Sequence, residues 1–92
     1  MAYTIAYHSA VAREDLAKLS REVRVRLLEM INHKIAVSPD IFGKPLRLSL
    51  RGYRSLRVGD YRIIYRIERT IVRIVAMRHR KDAYAEANRR TM

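Results

Sequence analysis

The spacing of the apolar residues changes near the middle of this 92-residue chain, and that change limits the folds available to it. In the first half, apolar side chains recur every three or four residues, the spacing of one buried helix face. The clearest such stripe is formed by Val23, Leu27, Met30, Ile31 and Ile35. The pattern predicts a short strand at residues 3–7 and then an αα-hairpin. Its first helix is capped by Ser9 and runs to about residue 19, and its second, capped by Ser20, ends at Ser38-Pro39-Asp40.

In the second half the apolar period becomes two, which indicates strands with one buried face. The three runs span residues 53–58, 61–67 and 71–77, and the short connections between them predict antiparallel hairpins. In the middle run one face holds Tyr61, Ile63, Tyr65 and Ile67, and the other holds Arg62, Ile64, Arg66 and Glu68. We expect the first face to pack under the helices and the second to show its arginines to solvent.

A short helix over residues 82–90, opened by Asp82, closes the chain. The predicted fold class is therefore α+β. An N-terminal strand and an αα-hairpin pack on a twisted antiparallel sheet of about four strands, followed by the short C-terminal helix. The length suits a single domain over residues 1–92.

The composition argues against several classes of protein and of site. With no cysteine, the chain has neither disulfides nor thiolate metal ligands, so we expect a cytoplasmic protein. It has no signal-peptide pattern and no apolar run of the roughly 18 residues that a membrane span needs. We expect no metal and no cofactor, because the sequence lacks a Gly-rich phosphate loop, an HExxH motif and a close cluster of Asp and Glu.

The positive charge is concentrated in the C-terminal half of the chain. Residues 1–42 carry six Lys or Arg against five Asp or Glu, whereas residues 43–92 carry fourteen against four, out of a net charge of +11. Twelve of those fourteen are arginine, whose planar guanidinium binds phosphate through two hydrogen bonds. The distribution predicts a polyanion ligand, most simply RNA.

Basic and aromatic side chains near the ends of the predicted strands form the candidate site. They are Arg54, Arg57, Arg62, Arg78, His79, Arg80, Lys81 and Tyr84. Such a set suits attack of the RNA 2′-hydroxyl on its neighbouring phosphate, because arginines neutralise the charge that builds on the phosphoryl oxygens. His79 has the one side chain among them whose ordinary pKa lies near neutrality, and Tyr84 is placed to stack on a base or donate a proton.

Three segments of the sequence together resemble the RelE-type toxins of bacterial toxin–antitoxin systems. They are Gly43-Lys44-Pro45-Leu46, the hairpin from Leu56 to Tyr65 with its Gly-Asp-Tyr-Arg turn, and the ending His79-Arg80-Lys81-Asp82-Ala83-Tyr84. With the two helices the resemblance covers nearly the whole chain. It implies a RelE-like fold and an endoribonuclease that cuts messenger RNA in the ribosomal A site, silenced by a cognate antitoxin. It also implies that operator DNA is bound only through the antitoxin.

The resemblance also implies roles for individual residues. Arg62 matches the arginine that stabilises the transition state, Arg80 the arginine assigned to protonation of the leaving group, and Tyr84 the aromatic that orients or stacks the substrate. Arg57 stands where the best-known branch of the family has a lysine as general base, and Ser55 stands at another lysine position. Because a guanidinium is a poor base, His79 becomes the better candidate for proton transfer. We expect RNA phosphates to contact Lys44, Arg54, Arg78 and Lys81.

Two other functions are compatible with the sequence. A ParE-type toxin has the same fold and inhibits DNA gyrase without cutting RNA, although such chains generally lack the His-Arg-Lys-Asp-x-Tyr ending. A catalytically weak member would act mainly as an antitoxin-bound co-repressor, an alternative that the arginine at position 57 keeps open.

Overall fold

The computed structural model describes residues 3–92; Met1 and Ala2, which the expected domain includes, lie outside the described residues. Within that range the chain forms a five-stranded sheet in the order β1-β5-β4-β3-β2. The strands are β1 (Thr4–Tyr7), β2 (Lys44–Pro45), β3 (Tyr53–Val58), β4 (Tyr61–Glu68) and β5 (Ile71–His79). Helices lie on both faces, so the predicted α+β class is confirmed.

The centre of the sheet is a pair of tight hairpins, as the alternation predicted. β3 pairs antiparallel with β4, and β4 with β5. Gly59 has a φ of 60° at the first position of the β3–β4 turn, where a type II′ turn requires a positive φ. The register places Arg57 directly opposite Arg62, and Arg62 directly opposite Arg78. These three arginines therefore lie in one row across three strands.

The sheet differs from the predicted one in two respects. It is mixed rather than antiparallel, because β1 pairs parallel with β5. It also has a fifth strand, because the segment Lys44–Pro45, which lies outside the four predicted strands, pairs with the outer edge of β3. Alternation identifies a strand but carries no information about its direction or its neighbours, which are set by the path of the helices between β1 and β3.

The helices of the N-terminal half pack on one face of the sheet. The first, α1, consists of a π-helical segment, Val11–Asp15, continued by Leu16–Lys18; the second, α2, spans Arg21–Met30 and continues as a π-helical segment, Ile31–Ile35. The Ser20 hydroxyl accepts a hydrogen bond from the Val23 amide at 3.3 Å, as expected of an N-cap. At the start of α1 it is His8 Nδ1, not Ser9, that accepts the Ala10 amide at 3.1 Å. The main core between these helices and the sheet includes Leu27, Ile31, Ile35, Ile63 and Tyr65.

A second, smaller core lies on the opposite face of the sheet. The C-terminal helix, α3 (Ala83–Thr91), packs there against a cluster that consists of Leu50, Ile64, Val75, Ala76, Ala83 and Ala87. The expectation that this face shows only arginines to solvent is therefore wrong at its centre, where Ile64 is fully buried. Because the α3 residues in contact are alanines, the helix approaches the sheet closely and divides the face into separate exposed ends. No helix within residues 3–92 has the length and apolarity that a membrane span requires.

Candidate functional site

An open cleft of about 640 Å³ lies beside the β3–β4 hairpin, on the face that carries α3. The loop before β2 forms one wall, strands β3 and β4 form the floor, and the first turn of α3 forms the far wall. Apolar residues line part of it, namely Ile41, Phe42, Pro45, Leu46 and Leu56. The polar part of the lining consists of Lys44, Ser55, Arg57, Arg62 and Tyr84. Four of the predicted site residues, Lys44, Arg57, Arg62 and Tyr84, thus meet in one cleft.

The two arginines of the cleft face each other without a carboxylate partner. Arg57 and Arg62 are cross-strand neighbours, an arrangement in which like charges repel. Within residues 3–92 neither forms an ion pair with Asp or Glu. Arg62 Nη1 instead donates hydrogen bonds to the carbonyls of Gly59 (3.0 Å) and Tyr61 (2.9 Å), which fixes the side chain against its own hairpin. The floor of the cleft therefore presents two uncompensated positive charges.

Tyr84 stands opposite these arginines, on the first turn of α3. Its hydroxyl lies 3.2 Å from the hydroxyl of Ser55, which is buried on β3. About a third of the residue, 36%, stays exposed, so one side of the ring is open to the cleft. The hydrogen bond fixes the end of the side chain while the ring face remains available for stacking.

Arg54, a predicted phosphate contact, holds the wall of the cleft instead of lining it. Its guanidinium donates hydrogen bonds to the carbonyls of Gly43 (2.8 Å) and Asp40 (3.1 Å). Behind the same loop, the buried Tyr65 hydroxyl donates to backbone carbonyls, one of which is that of Pro39 (2.8 Å). Burial raises the pKa of Tyr65, and the guanidinium of Arg54 acts in the opposite direction. Arg54 therefore positions Lys44 by ordering the loop that precedes it.

Gly43 is required where this loop passes over Tyr65. Its φ is +79°, a backbone conformation that side chains disfavour, and a Cβ there would come within 2.5 Å of the Tyr65 hydroxyl oxygen. Packing against Tyr65 thus explains why the first residue of the Gly-Lys-Pro segment is a glycine.

Arg78, the third arginine of the row, is compensated and nearly buried. Its side chain is 11% exposed and pairs with Asp15 at 3.1 Å and Asp82 at 2.7 Å. The pKa of Arg78 is raised, first by its hydrogen bond to Asp82. Of the three arginines in register, Arg78 is therefore structural, and its charge is not free for an anionic ligand.

His79, Arg80 and Lys81 do not line the cleft. His79 is opposite Tyr61 in the register, on the face of the main core, and the two rings meet edge to face at 5.6 Å. Its Nδ1 accepts the Lys81 amide at 3.2 Å, and its side chain lines a different cavity of about 140 Å³. Arg80 is exposed beside the hairpin turn, with its Nε 3.8 Å from Asp60, and Lys81 is exposed as well. Among residues 3–92 no group of three or more His, Cys, Asp or Glu is arranged to hold a metal ion.

The sequence interpretation missed a buried ionic cluster behind α3. Asp15, whose side chain is 0% exposed, pairs with Arg90, whose side chain is 2% exposed, at 2.8 Å. The pKa of Arg90 is raised, first by this hydrogen bond. Two features of the sequence could have indicated the cluster. Asp15 interrupts the apolar stripe between Val11 and Leu19, and a charge at a buried position requires a partner.

Comparisons with known sequences place the chain in a family of toxins. The model of a family described as ParE toxin of type II toxin–antitoxin system, parDE, matches residues 7–84. The chain is 40% identical over 86 residues to Toxin RelG of Mycobacterium tuberculosis, covering 91% of this chain and 98% of that protein. It is 37% identical over 65 residues to Toxin RelE of the same organism, covering 67% of each.

Solved structures give the same result for the fold. The toxin of a RelBE toxin–antitoxin complex from Mycobacterium tuberculosis superposes with a TM-score of 0.80 at 34% identity, covering 86% of this chain and 99% of that one. A mutant of Escherichia coli RelE in the free state superposes over 100% of both chains with a TM-score of 0.78 at 21% identity, which supports the fold alone.

Proposed function

Since the chain belongs to the RelE/ParE family of type II toxin–antitoxin toxins and is of the RelE type, we propose that it is an endoribonuclease that cuts messenger RNA on the ribosome. The reaction is attack of a 2′-hydroxyl on the adjacent phosphorus. The bond from O2′ to phosphorus forms and the bond from phosphorus to O5′ breaks. The 2′-hydroxyl loses a proton and the 5′ oxygen gains one, which leaves a cyclic phosphate and a 5′-hydroxyl.

One observation carries this proposal: Arg57 and Arg62 face each other in the cleft, and no carboxylate of residues 3–92 pairs with either of them. Like charges in direct register cost stability, and such a cost is expected at functional sites. A phosphodiester in the cleft would remove the repulsion and receive hydrogen bonds from both guanidinium groups. As negative charge grows on the phosphoryl oxygens, the same two groups stabilise the transition state more than the ground state.

The other cleft residues are assigned roles that fit this geometry. Lys44, on the wall held by Arg54, contacts a neighbouring phosphate. Tyr84, fixed through its hydroxyl to Ser55, stacks on a base next to the scissile bond. Arg80, beside the hairpin turn, remains our candidate for the leaving group and Lys81 for a flanking phosphate, since both are exposed and basic.

Proton transfer from the 2′-hydroxyl is not assigned to a side chain of the cleft. A guanidinium group is a poor general base, so Arg57 is not a candidate for this step. His79 projects from the opposite face of the sheet, where it packs against Tyr61. We therefore propose that the chain contributes charge and orientation, and that the ribosome supplies the remaining alignment. A site of this kind needs no divalent cation to neutralise the phosphate, because the arginines already do so.

The partners follow from the same assignment. One of the matched structures is a toxin–antitoxin complex, which supports a cognate antitoxin as the protein partner of this chain. We propose that the antitoxin is acidic where it meets the basic half, that operator DNA is bound only through it, and that the toxin acts in the cytoplasm, where translating ribosomes are found.

Primer extension on a messenger RNA in a translating extract tests the proposal. We expect cuts at codon-related positions when the chain is added, equally in the presence and absence of EDTA, and none on the same RNA without ribosomes. Suppression by EDTA would overturn the metal-independent part. The matched family model carries the ParE description over residues 7–84, so inhibition of DNA gyrase is the second candidate. Gyrase-dependent DNA breaks in cells without any RNA cut would favour it.

A further inference from the structure

A single buried carboxylate, that of Asp15 on α1, receives hydrogen bonds from three other residues. Its Oδ2 accepts the backbone amide of Met77 at 2.9 Å and Arg90 Nη1 at 2.8 Å. Its Oδ1 accepts Arg78 Nη1 at 3.1 Å and Arg90 Nη2 at 2.8 Å. With its side chain 0% exposed, Asp15 depends on these partners alone for the compensation that water would otherwise provide.

The two arginines that Asp15 binds hold opposite ends of α3. Arg78, at the end of β5, also pairs with Asp82, the residue immediately before α3 begins. The Asp82 carboxylate therefore bonds to Arg78 and does not cap the helix. Arg90 lies in the last turn of α3 and is almost completely buried. One carboxylate on the N-terminal helix thus fixes both the start and the end of the C-terminal helix.

The same cluster closes the free edge of β5. β1 covers β5 only as far as the pair Tyr7 and Ile74. Beyond that point, the Val75 carbonyl accepts a hydrogen bond from Arg90 Nη1 at 2.9 Å, and the Met77 amide donates to Asp15. Two side chains therefore replace the backbone partners that a neighbouring strand would supply. The position of α3 relative to the sheet is therefore fixed by a hydrogen bond from the Arg90 side chain to the backbone of β5 as well as by charge.

Helix α3 connects this cluster to the cleft. Tyr84 projects from its first turn and reaches Ser55 across the sheet face, while Asp15 lies at the far edge, beyond β5. On the proposed function of the cleft, we infer that Asp15 is a positioning residue: through Arg78 and Arg90 it holds α3 so that Tyr84 lies against the bound RNA. Asp15 does not line the cleft itself.

The structural part of this inference is tested by amide hydrogen exchange on the full chain with Asp15→Asn. We expect amides of α3 to exchange about tenfold faster or more, while those of β3 and β4 keep their protection, because Arg78 and Arg90 lose the fully buried carboxylate that links them and keep only more exposed acids. Glu14→Gln is the matched control. It removes the same charge one residue away, from a side chain that is 40% exposed and 3.5 Å from Arg90. Equal acceleration throughout the sheet, or none in α3, would overturn the inference.

A fluorotyrosine spectrum follows Tyr84 directly, with its signal identified by its loss in Tyr84→Phe. In Asp15→Asn we expect that signal to move towards the position of a solvent-exposed tyrosine, while the signal of the buried Tyr65 stays in place. If Asp15→Asn does not fold, Arg78→Met is measured in its place. It leaves Asp15 paired with Arg90 and releases the start of α3, the turn that carries Tyr84. An unmoved Tyr84 signal in a folded variant contradicts the positioning role.

The functional part is tested by a double-mutant cycle of single-turnover cleavage on the ribosome. We expect Asp15→Asn to slow cleavage about tenfold in the parent chain and less than about twofold in Tyr84→Ala, because the effect passes through Tyr84. Equal effects in both backgrounds would show a general loss of structure and refute the inference. If the parent chain cuts no RNA, the proposed function fails. Hydrogen exchange and the Tyr84 signal then still decide whether Asp15 positions the helix.

Discussion

Arginines occupy two contrasting environments in this small protein. Behind α3, Arg78 and Arg90 are nearly buried and bonded to Asp15, with Asp82 and Glu86 nearby. In the cleft, Arg57 and Arg62 have no acidic partner among the residues that the structure describes. Arg62 and Arg78 are direct neighbours in the sheet. Of these two adjacent arginines, Arg78 is therefore paired with carboxylates and Arg62 is not.

The difference between the two environments lies in the placement of the acids. The C-terminal half has only four Asp or Glu, and two of them, Asp82 and Glu86, are used behind α3 together with Asp15 from the other half. The cleft receives none. The net charge of +11 therefore does not show how uneven the charge distribution is. Acidic partners are concentrated around the arginines behind α3, and the cleft arginines have none among residues 3–92. We expect the first group to determine stability and the second to determine function.

The largest expected effect comes from breaking the compensated group. In Asp15→Ala, Arg78 and Arg90 lose the one fully buried carboxylate that binds both of them, and we expect the free energy of unfolding to fall by about 3–5 kcal/mol. Urea denaturation measures it. Glu14→Gln, which removes a more exposed acid, should cost less than about 1 kcal/mol. A loss for Asp15→Ala no larger than that of the control would mean that the cluster is not what holds α3.

The uncompensated group should show the reverse behaviour. Arg62→Ala removes one of the two charges that face the phosphate, and we expect cleavage on the ribosome to slow by about 10²–10³. Its midpoint of thermal unfolding should stay the same or rise, since the repulsion with Arg57 is relieved. The matched control is Arg66→Ala, on the same strand and the same face but outside the cleft. Slowing of similar size in both variants would remove the special role of the cleft arginines.

Most of the secondary structure could be predicted from the sequence, because alternation and helical spacing are local signals. The three long strands, both hairpins, α2 and α3 lie close to their expected positions. β2 was missed, since its two residues, Lys44 and Pro45, are too few to show a period and depend on pairing with β3. The parallel direction of β1 was missed because it depends on the path of the chain through the helices.

For the candidate site, the sequence indicated which residue types are present but not which face each one occupies. Alternation placed Arg57 and Arg62 correctly on one exposed end of the sheet. Arg78 and His79 are adjacent in the candidate site that the sequence indicates, but they project from opposite faces of β5. The partners of Arg78 and Arg90 were also missed, because Asp15 is more than 60 residues away from Arg78 in the sequence.

A smaller effect is expected from the pH dependence of the compensated group. The pKa of Glu86 is lowered, first by its hydrogen bond to Arg89 and also by the charges of Arg78 and Arg90. A carboxyl whose folded pKa is depressed stabilises the fold above its unfolded pKa, and this stabilisation is lost as the pH falls through the folded value. We expect Glu86→Gln to flatten the acid limb of unfolding free energy against pH by less than about 1 kcal/mol. An acid limb unchanged in Glu86→Gln would show that this carboxyl does not contribute.

The smallest effect is expected at His79, the residue that the sequence favoured as the base. Its ring packs against Tyr61 on the face opposite the cleft, and Lys81 donates a backbone hydrogen bond to its Nδ1. We therefore expect His79→Ala to change the cleavage rate by less than about threefold. Loss of a general base would typically slow the reaction by about 10²–10⁴. The parent chain should show no step in its pH–rate profile near 6.5, the ordinary pKa of histidine. Should the profile show that step and lose it in His79→Ala, the catalytic group would extend around the edge of the sheet. β5 would then contribute to both groups, with Arg78 stabilising the fold and His79 taking part in catalysis.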